Sequence, residues 1–82
     1  KEVTGDAEGA LAEYAKAIEI YRKLGNPRML SALLDLSAEV LRGLGRYREA
    51  LPPQEEALSL WRAGDDESAV AQGLNNLALL YQ

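Results

Sequence analysis

The sequence predicts an all-α fold of four helices, paired into two stacked antiparallel hairpins. Three observations carry this. Leu and Ala supply 28 of the 82 residues, whereas Val and Ile supply 5 and Phe is absent. That balance favours helix, because Leu and Ala lose little side-chain freedom there while β-branched residues build sheets. Glycine-bearing breaks at Gly25-Asn26-Pro27, Gly43-Leu44-Gly45 and Gly64-Asp65-Asp66 divide the chain into four stretches of helix length. Within these stretches the apolar residues recur at the helical period. A chain of 82 residues allows one small domain. A domain of that size buries only ~60% of its unfolded surface, so its core is thin.

The first helix is predicted at residues 6–24. Ala10, Tyr14, Ala17, Ile18 and Tyr21 form its apolar stripe. Gly25 suits the left-handed residue after a helix, and Pro27 cannot continue one. A second helix follows at 28–42, closed by Gly43 and Gly45, and a third at 46–62. Pro52 and Pro53 fall inside the third helix, where each removes a backbone donor and crowds the preceding turn. They predict a kink, or a tight first turn over Gly45–Leu51 ahead of the helix proper. The fourth helix is predicted at 66–81, with Asp65 or Asp66 as N-cap, Glu67 favourable against the dipole, and a stripe of Val70, Leu74, Leu77, Ala78 and Tyr81. Short loops make consecutive helices antiparallel. Alanines in the stripes let neighbouring axes approach closely.

The chain also repeats itself. Sliding it by 40 residues aligns Gly5 with Gly45, Ala10 with Ala50, Leu11 with Leu51, Ala17 with Ala57, Arg22 with Arg62, Leu34 with Leu74 and Ala38 with Ala78. Similar residues fill the positions between, among them Ile18 with Leu58, Ile20 with Leu60, Tyr21 with Trp61, and Leu30 with Val70.

Leu74-x-x-Leu77-Ala78-x-x-Tyr81 resembles the first-helix signature of a tetratricopeptide repeat, W-x-x-L-G-x-x-Y, and Leu34-x-x-Ser37-Ala38-x-x-Leu41 repeats the pattern one unit earlier. Gly45-Arg46-Tyr47-Arg48-Glu49-Ala50-Leu51 resembles that family's turn and second-helix start, and Gly5-Asp6-Ala7-Glu8-Gly9-Ala10-Leu11 is a weaker copy. The resemblance covers essentially the whole chain and implies a fragment of an α-solenoid. The 40-residue period is similar to the extended repeats of kinesin light chains and of bacterial regulators that carry long repeat arrays. HEAT-type repeats have a similar period; the alanine spacing and the Gly-x-Tyr-x-x-Ala turn favour the tetratricopeptide reading. In that frame residues 1–82 form a single fragment: 5–24 is the second helix of one repeat, 28–63 a complete repeat, and 66–82 the first helix of the next. With no initiator Met, the chain reads as a piece of a longer array, and apolar surface at its ends is expected to be covered by another copy or by neighbouring repeats.

Function classes narrow accordingly. There is no Cys and no His, so disulfides, thiolate chemistry and the commonest neutral-pH base and metal ligand are missing. A net charge of −4 argues against a nucleic-acid partner. No apolar run approaches a membrane span and no signal peptide is visible, which points to the cytoplasm. Asp65-Asp66-Glu67 reads as helix capping rather than a cation loop. Adjacent Glu55 and Glu56 point about 100° apart, so they do not converge on a substrate. Trp61 and Tyr21, at matching positions, read as packing residues. No enzyme activity, metal or cofactor is expected.

The resemblance instead implies protein–protein recognition. In that family the first helix of each repeat lines a concave groove. Carried onto this chain, the groove residues are Ala32, Asp35, Leu36, Glu39 and Arg42 in one unit and Gln72, Asn75, Asn76 and Leu79 in the next. The amides of Asn75 and Asn76 both donate and accept, which suits the backbone of an extended peptide. Asp35 and Glu39 favour a partner with positive charge. The family's clamp for C-terminal carboxylates needs Lys or Arg where Asp35 and Asn75 stand, so tail binding of that kind is not expected. The competing expectation is a purely structural segment that mediates self-association or array stacking.

Overall fold

The computed structural model describes residues 3–81 and contains four helices: α1 (Val3–Leu24), α2 (Pro27–Gly43), α3 (Tyr47–Ala63) and α4 (Glu67–Leu80). Among the described residues there is no strand. Each helix packs on the next in sequence, and the layer so formed measures 40 × 33 × 18 Å. Residue 82, the last of the expected fourth helix, lies outside the described residues. Gly5, expected in a turn, falls within α1.

The loops confirm the 40-residue period down to individual hydrogen bonds. Asn26 and Asp66 are the N-caps of α2 and α4. Their side-chain oxygens accept from the backbone N–H of Met29 and Ala69, each at 3.1 Å. The N–H groups of Asn26 and Asp66 in turn donate to the carbonyls of Tyr21 and Trp61, again at 3.1 Å in both. The residue before each cap is left-handed: Gly25 at φ 71° and Asp65 at φ 58°. Gly bears this conformation without steric cost, whereas Asp tolerates it through its short polar side chain. The middle break differs from expectation. Gly43 is still helical, and Gly45 alone takes the left-handed position, at φ 80°. The N–H of Arg46 then reaches the Leu41 carbonyl, closing the helix end.

The core is small, as the length requires. Leu30, Leu34 and Ala57 form one buried cluster, covered by Ile18, Tyr21, Leu60 and Trp61. Ala38, Leu41 and Ala50 form another, covered by Leu11 and Leu80. The fully buried Ala50 and Ala57 bring α3 close to α2. Between α3 and α4 the close approach is at Gly73: a Cβ there would meet the Trp61 ring and the Leu58 side chain at 3.1 Å. Two ion pairs reach from α1, Arg22 with Glu56 of α3 and Glu8 with Arg46, the residue that precedes α3. Arg46 also binds Glu49 through two hydrogen bonds, which hold the Glu49 carboxyl below its ordinary pKa. The stability this adds is present above the usual glutamate range and is lost as pH falls through the lowered value.

The stripe expected on α4 is divided between two environments. Its inward face is Val70, Gly73, Asn76, Leu77 and Leu80, while Leu74, Ala78 and Tyr81 are exposed. The predicted stripe is real, but α4 packs chiefly on α3, and three of the five stripe residues face away from it.

The prolines are accommodated without a break. α3 runs continuously from Tyr47 to Ala63, so Pro52 and Pro53 occupy interior positions and no separate turn extends to Leu51. They leave the Arg48 and Glu49 carbonyls without their i+4 donors. Both of those residues are exposed, so water can serve instead. Pro52 is itself exposed. Pro52→Ala should therefore stabilise the chain by about 1–2 kcal/mol, the regained helical bond being partly offset by a freer unfolded chain. A thermal melt followed by circular dichroism checks this as a rise in Tm of several degrees.

Candidate functional site

The residues expected to line a groove lie on α2 and α4, and α3 packs against both of these helices. On α2 an open cleft of about 680 Å³ runs along the helix from Arg28 past Ala32, Asp35 and Leu36. Its far wall is the end of α3 and the following loop, chiefly Leu60, Trp61 and Asp66. The lining is mostly apolar, and Asp35, Asp66 and Arg28 are its charged members.

Of the residues expected to bind a partner, this cleft gathers Asp35 and Leu36. Glu39 is exposed on the next turn of α2, and Arg42 beyond it is half-buried, with Nη1 enclosed and finding no acceptor among the described residues. On α4, Gln72, Asn75 and Leu79 are exposed and Asn76 is half-buried. Leu36 and Leu79 are both large apolar side chains open to solvent.

Asp35 and Asn76 are engaged inside the protein. Asp35 Oδ1 accepts from Gln54 Nε2 at 2.9 Å and from Asn76 Nδ2 at 3.2 Å. One carboxylate oxygen thus joins α2, α3 and α4. Gln54 is fully buried, and its Oε1 has no donor among the described residues. This glutamine was not singled out from the sequence. The signal was available: Ala50, Gln54, Ala57 and Leu58 share the inward phase of the third helix, and a polar residue in that phase needs a buried partner.

The α2 signature residues Leu34, Ser37, Ala38 and Leu41 are all buried beneath the neighbouring helices. A family model described as Tetratricopeptide repeat matches residues 2–63, three quarters of the chain. The chain belongs to the tetratricopeptide repeat family. No curated protein and no solved structure matches it. Tetratricopeptide repeats are protein-interaction modules, generally without catalytic activity. The matched range takes in α1, α2 and α3; α4 lies beyond it and carries the signature once more, as Leu74, Leu77, Ala78 and Tyr81. No helix among the described residues is long and apolar enough to cross a membrane.

Proposed function

We propose that this tetratricopeptide unit holds an extended, positively charged segment of a protein partner along the α2–α4 groove, as a recognition module within a scaffold or regulatory protein. The observation that carries the reading is the cleft on α2, whose lining includes Ala32, Leu36 and Trp61 together with the carboxylates of Asp35 and Asp66. Leu36 supplies an apolar anchor, and Glu39 with Asp35 supplies the negative field. Exposed Gln72, Asn75 and Leu79 continue the surface on α4. Asn75, rather than Asn76, has its amide available for a peptide backbone, because Asn76 is held by Asp35.

Selection of a displayed library of random short peptides on the purified chain tests this. Recovered sequences should be rich in Lys or Arg beside an apolar residue. Leu36→Lys and Glu39→Lys should each abolish their binding with helicity unchanged. Failure to recover any binder, or binders indifferent to both substitutions, overturns the reading. A second reading, a structural segment that associates with itself, is favoured by the open face of α4 and does not involve the groove.

A further inference from the structure

We infer that the cleft on α2 receives one arginine side chain of the partner, with its guanidinium on Asp35 Oδ2 and its stem along Trp61. The inference deepens the groove reading and rests on it for the protein source of that side chain.

Asp35 is a carboxylate that the rest of the fold holds in place. Its Oδ1 accepts from Gln54 Nε2 at 2.9 Å and from Asn76 Nδ2 at 3.2 Å. Both donors reach the same oxygen, and Oδ2 accepts from none of the described residues. Gln54 is fully buried, on α3, and Asn76 is half-buried, on α4. Two amides on different helices therefore fix the orientation of the carboxylate. Neither amide is charged, so the negative charge of Asp35 is not cancelled. Asp35 lines the cleft, and its charge meets solvent there. This arrangement is also local. Forty residues away the chain has Asn75 in place of Asp35 and Tyr14 in place of Gln54, so the site is a departure from the repeat and not part of its architecture.

The rest of the lining selects the occupant. Asp66 adds a second carboxylate from the start of α4, where its Oδ1 caps the helix by accepting from the Ala69 N–H. Arg28 also lines the cleft but forms no ion pair with either carboxylate, so negative charge stays in excess. Ala32, Leu36, Leu60 and Trp61 make much of the remaining wall apolar. A cation entering this cleft must shed water. Guanidinium is more weakly hydrated than an ammonium, stacks on aromatic rings and spreads five donors across a plane. Those properties match an indole wall with carboxylates on two separate elements. At about 680 Å³ the cleft has room for such a side chain together with adjoining backbone.

Trp61 is the single tryptophan of the chain, so its fluorescence reports on the cleft directly. Titration with N-acetyl-arginine amide should shift that emission and saturate in the millimolar range. The lysine counterpart should bind several-fold more weakly, and the neutral citrulline counterpart roughly tenfold more weakly. Asp35→Asn should bind the arginine probe roughly tenfold more weakly and lose its preference over citrulline. Gln54→Met and Asn76→Ala keep the carboxylate but each removes one of its donors. Each should narrow the arginine-to-citrulline ratio, a readout that a loss of stability alone does not move. Emission that ignores arginine, equal binding of arginine and citrulline, or an Asp35→Asn variant that binds as the wild type does overturns the inference. Basic peptides recovered by selection that bind Asp35→Asn undiminished would overturn this subsite and leave the groove reading in place. A bound arginine probe with no peptide recovered would support the subsite and overturn the groove reading.

Discussion

Leu34→Ala is expected to remove much of this protein's stability, about 3 kcal/mol and a Tm lower by roughly 10–20 °C, whereas Leu74→Ala at dilute concentration should cost less than about 1 kcal/mol. The two leucines hold the same place in successive repeats. Leu34 sits in the cluster with Leu30 and Ala57 under Ile18, Tyr21, Leu60 and Trp61. Truncation there leaves a cavity walled by three helices, and the helices cannot all collapse into it while Ala57 already sets the α2–α3 spacing. A domain of this length has about 4–12 kcal/mol of stability altogether, so the loss is a large fraction. Leu74 faces solvent, and removing its side chain forfeits little burial. Chemical denaturation of both variants measures the difference. Equal effects at the two sites would mean that α4 is covered in the isolated chain, contrary to the open face described above.

The helices and their ends were legible because local chemistry sets them. Gly25 and Gly45 are placed by the left-handed residue a helix end demands, and Asn26 and Asp66 by the orphan donors that follow. Gly43 misled because a glycine near a helix end is as readily the last helical residue as the one after it. The α4 stripe was legible as a stripe, but which of its residues meet α3 was not. Periodicity reports that residues share a side of a helix, and it does not report whether a neighbour lies there. The candidate site was legible to the same degree. The family resemblance put Asp35, Leu36 and Glu39 on the partner-facing side of α2, and the structure leaves Leu36 and Glu39 exposed. It could not reveal that Asp35 and Asn76, 41 residues apart, meet through one oxygen. Such a contact depends on how far α4 slides along α3, and that is settled by Gly73 against Trp61 and Leu58.

Asp35→Ala should destabilise the chain by about 2–4 kcal/mol, because it removes a charged acceptor of two hydrogen bonds and strands a buried amide. Gln54 would keep both ends of its side chain in the interior, with Nε2 newly unpartnered beside an Oε1 that already lacks a donor. Asn76 would lose its tie to α2 as well. Asp35→Asn should be milder, about 1 kcal/mol, since an amide oxygen can still accept from Gln54 without the charge. The decisive variant is Asp35→Leu combined with Gln54→Leu. If the cost of Asp35→Ala comes from the stranded glutamine, removing both polar partners should recover much of it, and a double-mutant cycle by denaturation should give a coupling of about 1–2 kcal/mol. No coupling would place the carboxylate's role elsewhere. The cycle also separates folding from recognition along the groove. A double-leucine chain that melts as the wild type does but no longer holds a basic peptide would locate the Asp35 contribution in the negative field rather than in the joint between helices. Leu36→Lys should show the complementary pattern, with stability retained and the peptide lost, because that side chain is open to solvent and binds no other part of the protein through hydrogen bonds.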